Sequence, residues 1–325
     1  VTISISTNAQ WAAAVPNLVG FWPANSVVVS VVQNRSIIVT ARFDLPNDEQ
    51  FPIMVSQIET LPDGDLMVAI HCDDDHLAYF LGTSLWIAVQ EQDRRVGCQI
   101  RLTGTLDSPT FRNLADGADF ATDHPADPAV DLEFRVTNGS RPDADREHTR
   151  AMFKGMDVRI DPTEPSDFDP YDAFAILWKF LDNRDSSLEF PAQVLASIHA
   201  GLSNDKSLEY RDALLAWAVA DRSQAISRCY RFGLIASTFP DTPARALMLS
   251  AAMGCAYAGG QGHLMNHIND EQIECGLEAS MSDLLMKCLF AALDPTEWVS
   301  TFRHPSVSVP MQPLITRINT ALAAA

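Results

Sequence analysis

The chain has 325 residues, 47% hydrophobic and 20% charged, with a formal net charge of -19 and a pI near 4.6. That is globular composition, not the low-hydrophobicity signature of disorder. A surface this acidic repels phosphate backbones and anionic lipid headgroups, so we expect no nucleic-acid partner and no membrane partner.

Residues 2–6 alternate in the manner of a strand and show no basic leader. Thr7 and Gln10 have the spacing of a capping box, so a helix is predicted from Asn8. It carries Trp11, Ala14, Val15 and Leu18 on one side and stops at Gly20. Pro16 predicts a short or irregular helix there. Residues 26–32 and 36–43 are two β-prone runs joined by Gln33-Asn34-Arg35, which predicts a hairpin. Residues 48–60 place Phe51, Met54, Val55 and Ile58 at helical spacing, and Asp63-Gly64 makes a turn. Residues 66–70 form an uninterrupted apolar strand of the kind buried on both faces. A helix is predicted over 75–92, with Leu77, Phe80, Leu81, Leu85 and Val89 as its core stripe, followed by a strand over 96–103.

From 104 to 168 proline and aspartate accumulate, and only a strand near 130–137 and a helix near 143–155 are predicted. Beyond it the periodicity is helical, over 170–183, 190–202, 205–220, 222–236, 242–258, 262–275 and 278–292. Trp178, Trp217 and Leu285 are core candidates. The expected architecture is therefore α+β. It comprises an N-terminal α/β domain with a mixed sheet (1–104), a connecting region rich in proline and aspartate (105–168), and an all-helical bundle or solenoid-like domain (169–325).

Ala14 to Val29 holds Val15, Pro16, Leu18, Gly20, Phe21, Pro23, Ser26, Val28 and Val29 at fixed spacing. Further on stand Ala41-Arg42-Phe43-Asp44-Leu45-Pro46, the acidic run Asp73-Asp74-Asp75, Arg211-Asp212-Ala213-Leu214-Leu215, and Pro295 with Trp298. In these segments, in this order, the chain resembles the actinobacterial and actinophage domain-of-unknown-function family 4192. The resemblance implies a fold and a phage or bacterial source. It implies no reaction. Residues 104–165 depart from the family pattern, with Leu106-Asp107-Ser108-Pro109-Thr110 where members often carry a cysteine-rich segment.

The sharpest chemical cluster is His71-Cys72-Asp73-Asp74-Asp75-His76 after a buried strand. Asp73, Asp74 and Asp75 could hold a divalent metal, the one cofactor the residues suggest; the competing reading is an N-cap for the following helix. Arg42 and Asp44 lie two apart on a strand and so share a face. With Ser26 they could form a small polar ligand site, or an ion pair that orders the hairpin end. His263 and His267 share a helix face without the Glu of a metalloprotease motif. No G-x-S-x-G, Walker loop or G-x-G-x-x-G occurs.

The six cysteines form no C-x-x-C pair, which predicts reduced thiols and a cytoplasmic protein. Three functional readings follow: a non-catalytic binding or assembly module; a metal-assisted hydrolase acting on a small anionic or nucleotide substrate; and a small-molecule-binding protein without turnover. Self-association, or association with another protein, is expected because apolar residues remain in the tail 307–325.

Overall fold

The computed structural model describes residues 5–114, 123–138, 142–143, 146–156, 173, 176–177, 192–203, 207–277, 279–291, 293–302, 316 and 320. The chain divides into two compact units, Val1–His148 and Thr149–Ala325. The first is a layered α/β unit and the described part of the second is helical. Together they make an α+β protein.

In the first unit, α1 (Asn8–Val19) starts at Thr7, whose hydroxyl accepts from the Gln10 amide, and stops at Gly20 with φ 84°. The helix continues past Pro16 to Val19. Then come β1 (Ser26–Gln33) and β2 (Ser36–Asp44), joined through Asn34 and Arg35 at φ 51° and 65°. Two consecutive positive φ angles give the tight turn whose twist matches a hairpin. α2 (Phe51–Glu59), β3 (Asp65–His71), α3 (Asp75–Gln90), β4 (Val96–Thr105), β5 (Ser108–Asn113), β6 (His124–Pro125) and α4 (Pro128–Asn138) follow, and α5 (Arg146–Ala151) spans the division between the units.

The strand order is β2-β1-β3-β4-β5-β6. Among the described strands β3 and β4 pair in parallel and the other neighbours antiparallel, and α3 is the crossover between β3 and β4. Val28, Ala69, Ile100, Leu102 and Phe111 pack with Trp11, Ala14, Val130 and Phe134 of α1 and α4. Val27, Val29, Leu66, Val68 and Ile70 pack with Met54, Ile58, Ala78, Leu81, Leu85 and Val89 of α2 and α3. The result is a three-layer unit. Each fully buried Val, Leu or Ile stabilises it by roughly 1.5–3 kcal/mol.

One expectation fails here. The predicted strand over 130–137 is helix α4. Val130 and Phe134 lie four apart and are buried, while Leu132 between them is 61% exposed. Alternating apolar residues fit a helix equally well when only every fourth residue is used, and Asp127 accepts from the Ala129 amide as Pro128 opens the helix. β5, β6 and α4, which lie between residues 105 and 168, pack in the first unit's layers.

In the second unit, α6 (Ala192–Leu202), α7 (Ser207–Ala218), α8 (Ala225–Thr238), α10 (Gly262–Glu274), α11 (Ser280–Phe290) and α12 (Pro295–Thr301) pack around α9 (Pro243–Ala258). α9 is buried almost all round, as a helix without a polar face must be. Its one buried cation, Arg245, is fully enclosed. Nη2 meets Glu271 at 2.7 Å and the Phe153 carbonyl at 3.2 Å; Nε donates to the Ala236 carbonyl at 3.1 Å; Nη1 meets Asp241 and, at 3.1 Å, the Cys275 thiol. Leu285 is buried as expected. Trp178, the Trp217 side chain, most of the predicted helix over 170–183 and most of the tail 307–325 lie outside the described residues.

Candidate functional site

The acidic run begins where β3 ends. Asp74 is the N-cap of α3: its Oδ1 accepts from the His76 amide at 2.8 Å and the Leu77 amide at 3.1 Å. The Leu77 amide, then that of His76, holds its carboxyl below the usual 3.8. Asp75 stands in the first turn with one carboxylate oxygen on Arg101 and the other 3.0 Å from Arg112. Those arginines are direct cross-strand partners on β4 and β5. Arg101 also donates from Nε to the Cys72 carbonyl at 2.8 Å and from Nη2 to the Asp73 carbonyl at 2.9 Å. Burial, then the neighbouring Arg112, lowers its pKa. Arg112 reaches Asp123 through Nε.

The loop is thus a clamp. One buried guanidinium ties the end of β3 to the start of α3 and anchors both to β4. The carboxylates of Asp74 and Asp75 are already engaged, in different directions, and Asp73 gives Arg101 its main-chain carbonyl. Among the described residues no group of three or more His, Cys, Asp and Glu is arranged to hold a metal ion. The two arginines were missed in the sequence. Their signal was a lone cation inside a strand otherwise destined for burial, which requires a carboxylate partner.

At the end of β2, Arg42 Nη1 lies 2.7 Å from Asp44 Oδ1, and its guanidinium sits over the Phe21 ring at 5.6 Å. Ser26 pairs in register with both Asp44 and His71, but it is fully buried and its hydroxyl donates to the Ala24 carbonyl at 2.8 Å. His71 Nδ1 accepts from the Asn25 amide at 3.1 Å, and its ring lies edge-on to Trp22. Burial lowers the His71 pKa against the opposing pull of Asp73.

Arg42 sits opposite Val28, on the α1 side of the sheet; Arg101 sits beside Ile70, on the α3 side. The structure therefore brings Arg42 and Asp44 together, but places them across the sheet from the Arg101–Asp75 clamp. In the helical unit the His263 and His267 rings meet edge to face at 6.3 Å, and Trp298 packs edge-on to Tyr257 at 5.6 Å.

Helix α3 holds the largest surprise. Phe80, predicted for the core, is 59% exposed. The sheet side of α3 is Ala78, Leu81, Gly82, Leu85 and Val89. Its outer side carries Tyr79, Phe80, Trp86 and Ile87, all more than 40% exposed. Leu81, Leu85 and Val89 of the predicted stripe are buried and Leu77 is half-buried, so spacing placed the stripe; with both sides apolar it did not place its edge, where Phe80 turns outward.

These features define a two-unit α+β protein whose first unit is layered, with an arginine-clamped crossover and an apolar outer helix face. A family model described as a domain of unknown function (DUF4192) matches residues 9–296, and the chain belongs to that family. No curated protein and no solved structure matches it.

Proposed function

We propose that this protein is a non-catalytic binding or assembly module that acts by contact with protein, either itself or another chain. The observation that carries this reading is the outer face of α3, where four large apolar side chains stand together in solvent. Exposed apolar surface of that kind marks protein contact sites. The clamp supports it too. Asp75 is held by Arg101 and Arg112 while Asp74 caps α3, which gives both carboxylates a structural task. The hydrolase reading would need Asp73, Asp74 and Asp75 to act with Arg42 and Asp44 across the sheet. We also infer a cytoplasmic protein of actinobacterial or actinophage type; the motif resemblance and six free cysteines support that.

Native mass spectrometry of the purified protein tests the reading. The expected spectrum shows a complex whose mass exceeds the 35.7 kDa of one chain by protein alone. A monomer carrying a stoichiometric metal ion or metabolite would overturn it.

A further inference from the structure

We propose that two copies of this chain pair through the outer face of α3, antiparallel across a two-fold axis at Thr83. This deepens the assembly reading and rests on it.

The pattern of exposure makes the case. The outward residues of α3 are Asp75, His76, Tyr79, Phe80, Thr83, Trp86, Ile87 and Gln90. His76, Phe80, Thr83, Ile87 and Gln90 follow spacings of four, three, four and three, the seam of a helix that packs lengthwise on another helix. The seam is also symmetric about its midpoint. Counting outward from Thr83, aromatic or aliphatic residues stand three and four positions away on both sides, and polar residues seven away on both sides. An isologous contact needs that self-complementarity, because residue i must fit residue j while j fits i. In the antiparallel pair Phe80 meets the partner copy's position 86, Tyr79 meets position 87, and the small Thr83 lies on the axis. The polar ends then fall at the rim. Opposed helix dipoles add a favourable term.

Size decides the strength. Four side chains about half exposed offer on the order of 400 Å² of apolar surface per copy, against the roughly 800 Å² per partner of a standard stable interface. With its polar rim the contact falls at the small end, the class of weak and transient pairs, so the dimer is concentration-dependent. Charge acts in a definite direction. Asp73 at one end of the seam approaches Asp93 of the partner copy, Asp75 being answered within its own chain by Arg101 and Arg112, and each copy carries a net -19. Salt screens that repulsion and tightens this dimer, whereas it would loosen a complex with a basic partner.

Light scattering after size exclusion, from about 1 µM to about 200 µM, reads the equilibrium. Wild-type mass should climb from 35.7 kDa toward twice that value, and climb sooner at higher salt. Phe80→Glu, at a 59% exposed site, should keep its circular dichroism melt and stay monomeric throughout. Thr83→Cys should form a disulfide-linked dimer under mild oxidation that wild type does not form. Association that survives Phe80→Glu, or that gives no link at position 83, overturns the α3 pairing and leaves the assembly reading standing. A wild-type chain that stays monomeric at the top of the range overturns the pairing and self-assembly with it.

Discussion

Replacing Arg245 by methionine should destabilise the helical unit by about 3–5 kcal/mol. The side chain is fully buried and donates to Ala236, Phe153, Asp241 and Glu271. Methionine fills much of the volume but answers none of those acceptors. The dominant cost is Glu271, only 3% exposed, left as an uncompensated charge in a low-dielectric interior. At roughly 2–4 °C per kcal/mol for a unit of this size, the melting temperature should fall by about 6–20 °C. Scanning calorimetry of the full chain measures it. The double variant Arg245→Met with Glu271→Leu removes the stranded charge and should recover most of the loss, since a buried pair replaced by apolar groups is often close to neutral. A single-variant loss under about 1 kcal/mol, or a double variant as unstable as the sum of the two singles, would refute this reasoning.

Three further outcomes follow from the same structure. Asp74→Ala should lower the melting temperature at neutral pH; its carboxyl is depressed in the folded state, so the gap to wild type is present above 3.8 and closes as pH falls through the lower folded value. A gap that persists unchanged to about pH 2 would contradict the cap. His199, buried against Phe239 with its Nε2 3.0 Å from the Thr242 hydroxyl, is lowered by burial. The unfolded chain binds a proton there below 6.5 that the folded chain resists, so stability falls as pH drops, and His199→Gln should flatten that slope in urea titrations at about pH 5 and pH 8. Gly64→Ala should cost about 2–3 kcal/mol, because φ there is 151° and an added Cβ would stand 2.6 Å from the Val32 carbonyl oxygen; an unchanged urea midpoint would show that the turn relaxes freely.

Much of the layered unit was legible because local chemistry and burial agree there. Thr7 and Gly20 bound α1 as their residue types require, and Asn34-Arg35 closes the hairpin. The apolar run of β3 is buried in the middle of the sheet. The failures share one cause: a pattern compatible with two arrangements, resolved only by what packs on it. Val130 and Phe134 read as strand until α1 fixes them as one helix face. Phe80 read as core until Ala78, Gly82 and Leu85 prove the better fit to the sheet, Gly82 letting the Gln99 amide reach its carbonyl at 3.0 Å. The site was legible only as an acidic loop. Asp74 could be recognised as a cap from its place before a helix, but Arg101 and Arg112 come from strands remote in sequence, and their meeting with Asp75 depends on sheet order.

Hydrogen exchange followed by mass spectrometry at about 1 µM and about 200 µM tests the central claim most directly, because it locates contact on the chain rather than only detecting it. Peptides covering Tyr79 to Gln90 should exchange several-fold more slowly at the higher concentration while α2 and α4 keep their rates. Equal exchange in α3 at both concentrations, with protection rising in some other helix, would contradict the claim that this face is where the protein meets its partner copy.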